Sequence, residues 1–308
     1  LSGVASIAAG DSHTVALKSD GTVWTWGDNS YGQLGDGTTT ERTTPVLDSV
    51  LSGVVAIAAG GCHTVALKSD GTVWTWGSND YGQLGDGTTT DSPTPVPVSS
   101  LSGVTAIAAG YQHTVALKSD DGTVWTWGWN DYGQLGDDTT TDSPTPVPVS
   151  SLSGVAAIAA GGVHTVAQWS GGGTVWTWGS NDYGQLGDGT IIDRYTPVPL
   201  TSLSGVASFA AGLCHTVALK SNDGTVWTWG NNSYGQLGDG TIIERHTPVK
   251  VFSLSEVASI AAGGVHTVAL KSNGTVWTWG CNEFGQLGDD TTTERHIPVL
   301  SGGPLMLW

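Results

Sequence analysis

The chain has 308 residues, 46 of them glycine and 15 tryptophan. Ten basic against 27 acidic side chains give a net charge of −17, which excludes the basic surface that displaces counterions from DNA or RNA, so no nucleic-acid partner is expected. Charged residues are only 12% of the chain, but its tryptophan content excludes the aromatic-poor composition of disordered segments, and no run of 18 apolar residues is available to span a membrane.

The first 50 residues set the pattern. Val4 to Gly10 reads as a strand A of small residues, His13 to Lys18 as strand B, and Thr22 to Gly27 as strand C. A glycine-rich loop of about 16 residues follows, long by ordinary loop statistics, and a strand D is expected near Thr44 to Leu47. The pattern then restarts. Copies begin at Leu1, Leu51, Leu101, Leu152, Leu203 and Leu254, spaced by 50, 50, 51, 51 and 51 residues, and the first two differ at 12 of 50 positions. A period near 50 points to a propeller, a solenoid or an array.

The change of period lies between strands B and C. Copies one, two and six carry Asp20-Gly21, Asp70-Gly71 and Asn273-Gly274; copies three, four and five carry one more residue, at Asp120-Asp121-Gly122, Gly171-Gly172-Gly173 and Asn222-Asp223-Gly224. Asp-Gly and Asn-Gly are favoured in two-residue hairpin turns with both central residues at positive φ, so this is a hairpin tip that tolerates insertion. Side-chain size supports a radial arrangement: Ile7-Ala8-Ala9-Gly10 fits where sheets converge on an axis, and Trp24-Thr25-Trp26 fills the wedge where they separate. The expected architecture is all-β, a single closed propeller of six blades with four antiparallel strands each, over repeats 1–50, 51–100, 101–151, 152–202, 203–253 and 254–300, with 301–308 as a C-terminal tail. Closure is expected because the end copies carry no polar caps and an incomplete ring would bare two apolar faces. The start at Leu1 rather than Met is expected of a processed form or an excised region.

Three linked motifs recur in every copy: Gly10-x-x-His13-Thr14-Val15-Ala16-Leu17, Gly21-Thr22-Val23-Trp24-Thr25-Trp26-Gly27 and Asn29-x-Tyr31-Gly32-Gln33-Leu34-Gly35. The small departures include Gln168-Trp169 for Leu-Lys and Phe284 for Tyr. Over residues 1–300 the chain resembles the regulator of chromosome condensation family, here expected as a bacterial member. The resemblance implies a propeller of four-stranded blades, most often seven in the family; six copies occur here, so a six-bladed version is expected, with a seventh blade outside the chain as the alternative. It also implies functions that diverge: guanine nucleotide exchange on a GTPase, UV-B reception in plants, and inhibition of β-lactamases through one propeller face. The photoreceptor's Gly-Trp-Arg-His-Thr motif does not carry over. Ser12, Cys62, Gln112, Val163, Cys214 and Val265 precede the histidines here, none of them Arg.

Candidate sites divide into repeated and varied residues. His13, His63, His113, His164, His215 and His266 recur once per copy, as a structural need of each blade predicts; a metal ring on the axis is the sharper alternative, but no acidic residue recurs beside them to complete a ligand set. Trp26, Trp76, Trp127, Trp178, Trp229 and Trp279 are expected as structural wedges; the alternative is that the twelve tryptophans of the Trp-Thr-Trp motifs form sugar-stacking pockets between blades. Asp36 and its equivalents, after Gly-Gln-Leu-Gly, are expected to cap a tight turn rather than bind calcium. Cys62, Cys214 and Cys281 lack metal or disulfide spacing and are expected as free thiols. No cofactor and no metal is expected.

The copies disagree mainly at the A–B loop and at the start and end of the C–D loop, which emerge on one face of an antiparallel blade. Asp11, Ser12, Cys62, Tyr111, Gln112, Trp129, Val163, Leu213, Cys214, Val265 and Cys281 form the expected binding face, since function gathers on variable loops over a rigid scaffold. Persistence of Lys18-Ser19 in five of six copies argues against uniform drift. The expected function is a non-enzymatic scaffold that binds a protein partner through this face. The alternatives are a multivalent lectin-like carbohydrate binder using inter-blade pockets and, by resemblance, an exchange factor. Display outside a bacterial cell is the expected location.

Overall fold

The computed structural model describes residues 1–302 apart from 49, 120 and 172. The sequence-derived tail beyond residue 302, and the tip residues Asp120 and Gly172, lie outside the described residues. Twenty-four strands form six four-stranded antiparallel sheets, each built from consecutive strands in order A-B-C-D. In the first blade these are Val4–Ala9, His13–Lys18, Val23–Gly27 and Arg42–Leu47. The other blades span 54–97, 104–148, 155–199, 206–250 and 257–300.

Each strand's residue types suit its place. Strand B, His-Thr-Val-Ala-Leu-Lys, is buried on both sides in the middle blades, as befits a sheet covered by neighbours on both faces. Strand D carries Pro45, Pro93, Pro95 and their equivalents and is the outer edge of its sheet, where a missing N–H breaks no further ladder. Strand A ends on Ala-Ala-Gly, which lines an axial channel of about 530 Å3.

The hairpin tip differs from the two-residue expectation. Asp20 is not at positive φ, and only Gly21 is, at φ 81. Gly21 N–H donates to Lys18 C=O and Lys18 N–H to Thr22 C=O. The loop is therefore Ser19-Asp20-Gly21, a type I turn closed by a left-handed glycine bulge, with Asp20 Oδ1 accepting from Thr22 N–H and Oγ1–H.

The two tryptophans of each Trp-Thr-Trp also part company. The second is fully buried between blades at Trp76, Trp127, Trp178, Trp229 and Trp279. The first is only partly buried and in five blades lies under the lysine of strand B, as for Lys68 over Trp74 at 5.7 Å.

Adjacent blades are joined by one repeated polar staple. His63 Nε2 lies 3.0 Å from Thr114 Oγ1 of the next blade, and Thr114 Oγ1–H donates back to the Gln83 carbonyl. With the hydroxyl proton committed to the carbonyl, the histidine must carry its proton on Nε2 and donate it to threonine. Trp127 Nε1–H of that next blade donates to the same Gln83 carbonyl at 2.9 Å. The His-Thr-Gln arrangement recurs at five junctions. Five apolar clusters accompany it, each spanning two neighbouring blades: Val15, Leu17 and Val23 of blade one, for instance, pack on Leu51, Val54 and Trp76 of blade two. Glycine is needed before each histidine because a Cβ on Gly60 would stand 2.2 Å from the His63 ring.

The sixth junction is different. Among the described residues no hydrogen bond joins His266 to Thr14, or Thr14 or Trp26 to the Gln286 carbonyl. Ile7 is 73% exposed and Phe284 89% exposed, and Val4 and Leu270 are also open to solvent. The expected closure is thus not made between blades six and one. The two apolar faces that closure was expected to hide are present, and Trp26 and His266 do not share the packing of their equivalents. The repeat itself is the reason: each blade can bury its faces only against a neighbour, and nothing within one blade caps it.

Burial holds the junction imidazoles neutral. His63, His113, His164 and His215 are pushed down to about 3 by desolvation, and His13 to about 4. Folded values lie below the unfolded 6.5, so the unfolded chain takes up protons first. This stability is complete above pH 6.5 and lost as pH falls toward 3. Thermal melts between pH 7 and pH 5 should reveal a loss of about 2 kcal/mol per buried imidazole, and His113→Gln should flatten that slope; a slope unchanged by the substitution would contradict the assignment.

Candidate functional face

The A–B and C–D loops do share one face. In every blade the residue opening the C–D loop donates its N–H to the residue before the histidine: Asp28 to Ser12, Ser78 to Cys62, Trp129 to Gln112, Ser180 to Val163, Asn231 to Cys214 and Cys281 to Val265. Inter-blade backbone bonds ring the channel mouth, from Asp11 N to Gly61 O, Gly61 N to Tyr111 O, Tyr111 N to Gly162 O and Leu213 N to Gly264 O. Asp11, Ser12, Tyr111 and Leu213 are exposed there, and Cys62, Gln112, Trp129, Val163, Cys214 and Val265 are half-buried. Burial raises the Asp11 carboxyl and the Tyr111 hydroxyl above their ordinary values. A small recess of about 80 Å3 sits between Tyr31, Cys62, Asp80, Tyr111 and Gln112.

Cys281 does not belong to this surface. It is 4% exposed, and so are its equivalents Ser78 and Ser180 nearly closed off. The position opening the C–D loop serves the loop. Its oxygen accepts from the glutamine of Gly-Gln-Leu-Gly in four blades: Asp28 from Gln33, Ser78 from Gln83, Ser180 from Gln185 and Asn231 from Gln236. Variation there is exchange among acceptors. Trp129 breaks the rule. It stacks with Tyr81 and Tyr132 at 5.7 and 5.3 Å, while Gln134 Nε2 and its own Nε1 are buried without partners.

Persistence of Lys-Ser has a structural cause too. The lysine covers the first tryptophan, and the serine donates N–H to the turn before strand A, as Ser19 to Gly3 O. The pair is therefore no neutral control for drift. In blade four, where Trp169 replaces the lysine, Ser170 keeps its bond to Gly154 O.

The repeated polar residues have structural partners. Asn29 Nδ2 donates to Thr38 O and Thr40 O while its Oδ1 accepts from Leu34 N–H, which pins the long loop. Asp36 accepts from Thr38 N–H and Oγ1–H and pairs with Arg42, so the turn-capping expectation agrees with its contacts. Five of the six histidines spend Nε2 on threonine between blades rather than on the axis. No group of three or more metal-ligating side chains occurs among the described residues. Cys62 and Cys214 are free and half-buried, and burial pushes the Cys214 thiol up to about 11, away from nucleophilic use.

Sequence reasoning passed over one feature of this face. In blades four and five the C–D loop reads Thr-Ile-Ile where the other four read Thr-Thr-Thr. Ile191, Ile192, Ile242 and Ile243 are between 55% and 61% exposed, and Tyr195, which starts beside them, is also exposed. The signal is a Thr-to-Ile change in adjacent copies, lying between the two varied ends of the loop. The tyrosines of Asn-x-Tyr-Gly are also exposed at Tyr31, which borders the small recess, and at Tyr183; their presence in five of six copies hid them.

The RCC1-like domain family model matches residues 1–302. The chain belongs to the RCC1-like family. Among curated relatives, this RCC1-like chain is 36% identical over 272 residues to the E3 ubiquitin-protein ligase HERC2 of Homo sapiens, covering 86% of the chain and 5% of HERC2. It is 38% identical over 273 residues to the ultraviolet-B receptor UVR8 of Arabidopsis thaliana, covering 87% of the chain and 50% of UVR8. It therefore spans at most half the length of these two relatives. Among solved structures it superposes on yeast RCC1 (Prp20) bound to Kap60 with a TM-score of 0.86 at 26% identity, covering 98% of the chain and 76% of that one. It superposes equally on human WBSCR16, with a TM-score of 0.86 at 26% identity, covering 98% and 83%. The relatives are eukaryotic, so the expected bacterial origin finds no support in them.

The Trp129 exception is testable. Two stranded buried donors cost about 1–3 kcal/mol each, more than two ring pairs return at about 0.5–1.5 kcal/mol each. Trp129→Ser, which restores the acceptor of blade two, should hold or raise the Tm; a fall of several degrees would show that ring packing dominates.

Proposed function

We infer that this RCC1-like propeller is a non-enzymatic scaffold that binds a protein partner through its A–B/C–D face. The observation that carries the reading is the quartet Ile191, Ile192, Ile242 and Ile243 on neighbouring loops of blades four and five. Each copy of the loop could have kept threonine, as four do. Instead, two adjacent blades each expose a pair of apolar side chains at no gain to the core, and exposed apolar surface beyond scattered single residues marks interaction sites. Tyr195 and Tyr183 add amphipathic rings of the kind enriched at interface anchors.

Relatives support protein binding in general terms: the yeast RCC1 structure is a complex with Kap60, and Prp20p is described with binding to Gsp1p and histones. An exchange-factor role, as an alternative, rests on that resemblance alone. Against the lectin-like alternative, the second tryptophans of blades two to six are closed between blades, and the first tryptophans of five blades lie under the lysine of strand B.

Reverting Ile191, Ile192, Ile242 and Ile243 together to threonine restores the loop of the other copies, so folding should be kept. In pull-downs from a lysate of the source cells, the wild-type propeller should retain a protein that the four-fold variant loses by at least ten-fold, while Tyr111→Ala loses it less. Equal retention by wild type and variant would remove the isoleucine surface from the function.

A further inference from the structure

We propose that the B–C hairpin of blade four is a binding site for a lysine-type ammonium group supplied by another molecule, which takes the position over Trp176 that a lysine of the chain itself fills in the other five blades. In those blades the strand B lysine sets its Nζ 5.6–6.0 Å from the ring centre of the first tryptophan of Trp-Thr-Trp, where the negative face of the ring attracts the cation. Blade four carries Trp169 at the lysine position. Trp176 is otherwise like its equivalents: it pairs with Ala167 across the strands and is half-buried. The molecule thus shows five times which chemical group this ring position takes, and in blade four the chain does not provide it.

Trp169 leaves that position open and walls it. Its indole lies across two glycines: a Cβ on Gly154 would come 2.8 Å from its Nε1, and one on Gly171 2.4 Å from its ring carbon Cη2. Blades three and five have Asp120 and Asn222 where blade four has Gly171, so the indole and the glycine that admits it go together. Trp169 stays 42% exposed. Two residues beyond Ala167 on strand B, it is the diagonal neighbour of Trp176 on the same face of the sheet, and among the described residues the two rings make no contact with each other. An acceptor is also at hand. The equivalents of Thr174 accept the indole N–H in four blades and donate to the Asp or Asn of the tip in four, whereas the Thr174 hydroxyl has neither partner among the described residues.

Charge favours a cation over a neutral guest. Gly154 N–H donates to the Asp121 carbonyl at 2.9 Å, which brings the hairpin of blade three, with the exposed Asp121, up to the turn that Trp169 covers. The tip of blade four has no charged residue of its own, and the net charge of −17 draws cations from a distance. A sugar stacked on the exposed indole would gain from neither. The site lies among the B–C hairpins, on the face opposite the isoleucine surface, so its fate does not decide the proposed function.

The test titrates n-butylammonium chloride, a copy of the lysine stem and head, into the full chain at constant ionic strength, while NMR follows the indole Nε1–H signals of Trp169 and Trp176. Both signals should shift along one saturable curve, and n-butanol should bind about ten-fold more weakly, the factor that a ring–cation attraction supplies. Trp169→Lys restores the residue of the five other blades, so folding should be kept, and the Trp176 signal should no longer respond to the added ammonium. The proposal fails if n-butanol matches n-butylammonium in the wild-type chain, which would leave a plain apolar patch. It fails if methyl β-glucoside saturates the two signals and the ammonium does not, which would assign the indoles to a carbohydrate. It also fails if Trp176 responds alike in the wild-type chain and in Trp169→Lys.

Discussion

One carbonyl per blade organises this molecule. The glutamine of Gly-Gln-Leu-Gly offers its main-chain oxygen to the next blade, which answers with a threonine hydroxyl and, at four junctions, an indole N–H. The same threonine accepts from the first blade's histidine. Burial makes the arrangement obligatory: each group lies out of reach of water, where a donor or acceptor left unpaired costs more than a formed bond returns. Much else serves to deliver these groups. The asparagine pins the loop that carries the carbonyl, the glycine before the histidine makes room for its ring, and the second tryptophan fills the space the staple encloses.

Because the staple is made between blades and never within one, the ring has no internal stop. Each blade shows a complete half-interface on either side, and its stability follows from its neighbours, as in other repeat proteins. Blade one and blade six therefore carry the costs of an end without any sequence marking them as ends. Ile7 is exposed at the opening, although its equivalents Ile57, Ile107, Ile158 and Phe209 in the inner blades are half-buried.

The fold was legible in the residues to the level of strands. Strand B from His13 to Lys18 falls where the pattern puts it, and the other three strands of the first blade begin or end within two residues of expectation. Two things were not legible for physical reasons. Closure depends on the sum of small inter-blade rotations, and no residue encodes that sum; the motifs of blades one and six are the same as those of the blades between. The hairpin tip was misjudged because Asp-Gly suits both a two-residue turn and the last two residues of a bulged three-residue loop, and only the backbone distinguishes them. The candidate site was legible in part. Loop variation pointed to the correct face, yet at Asp28, Ser78, Ser180 and Asn231 it recorded substitutions among hydrogen-bond acceptors, and the exposed isoleucines lay in a stretch read as uniform.

Native-state hydrogen exchange, resolved blade by blade, tests the central role of the inter-blade staple most directly, because local opening follows the contacts that each element makes. Strand B amides of blades two to five, stapled on both sides, should exchange only through global unfolding. Those of blades one and six, stapled on one side, should exchange at least ten-fold faster. Equal protection in all six blades would contradict the account, since it would mean that each sheet is stable without the bonds to its neighbours.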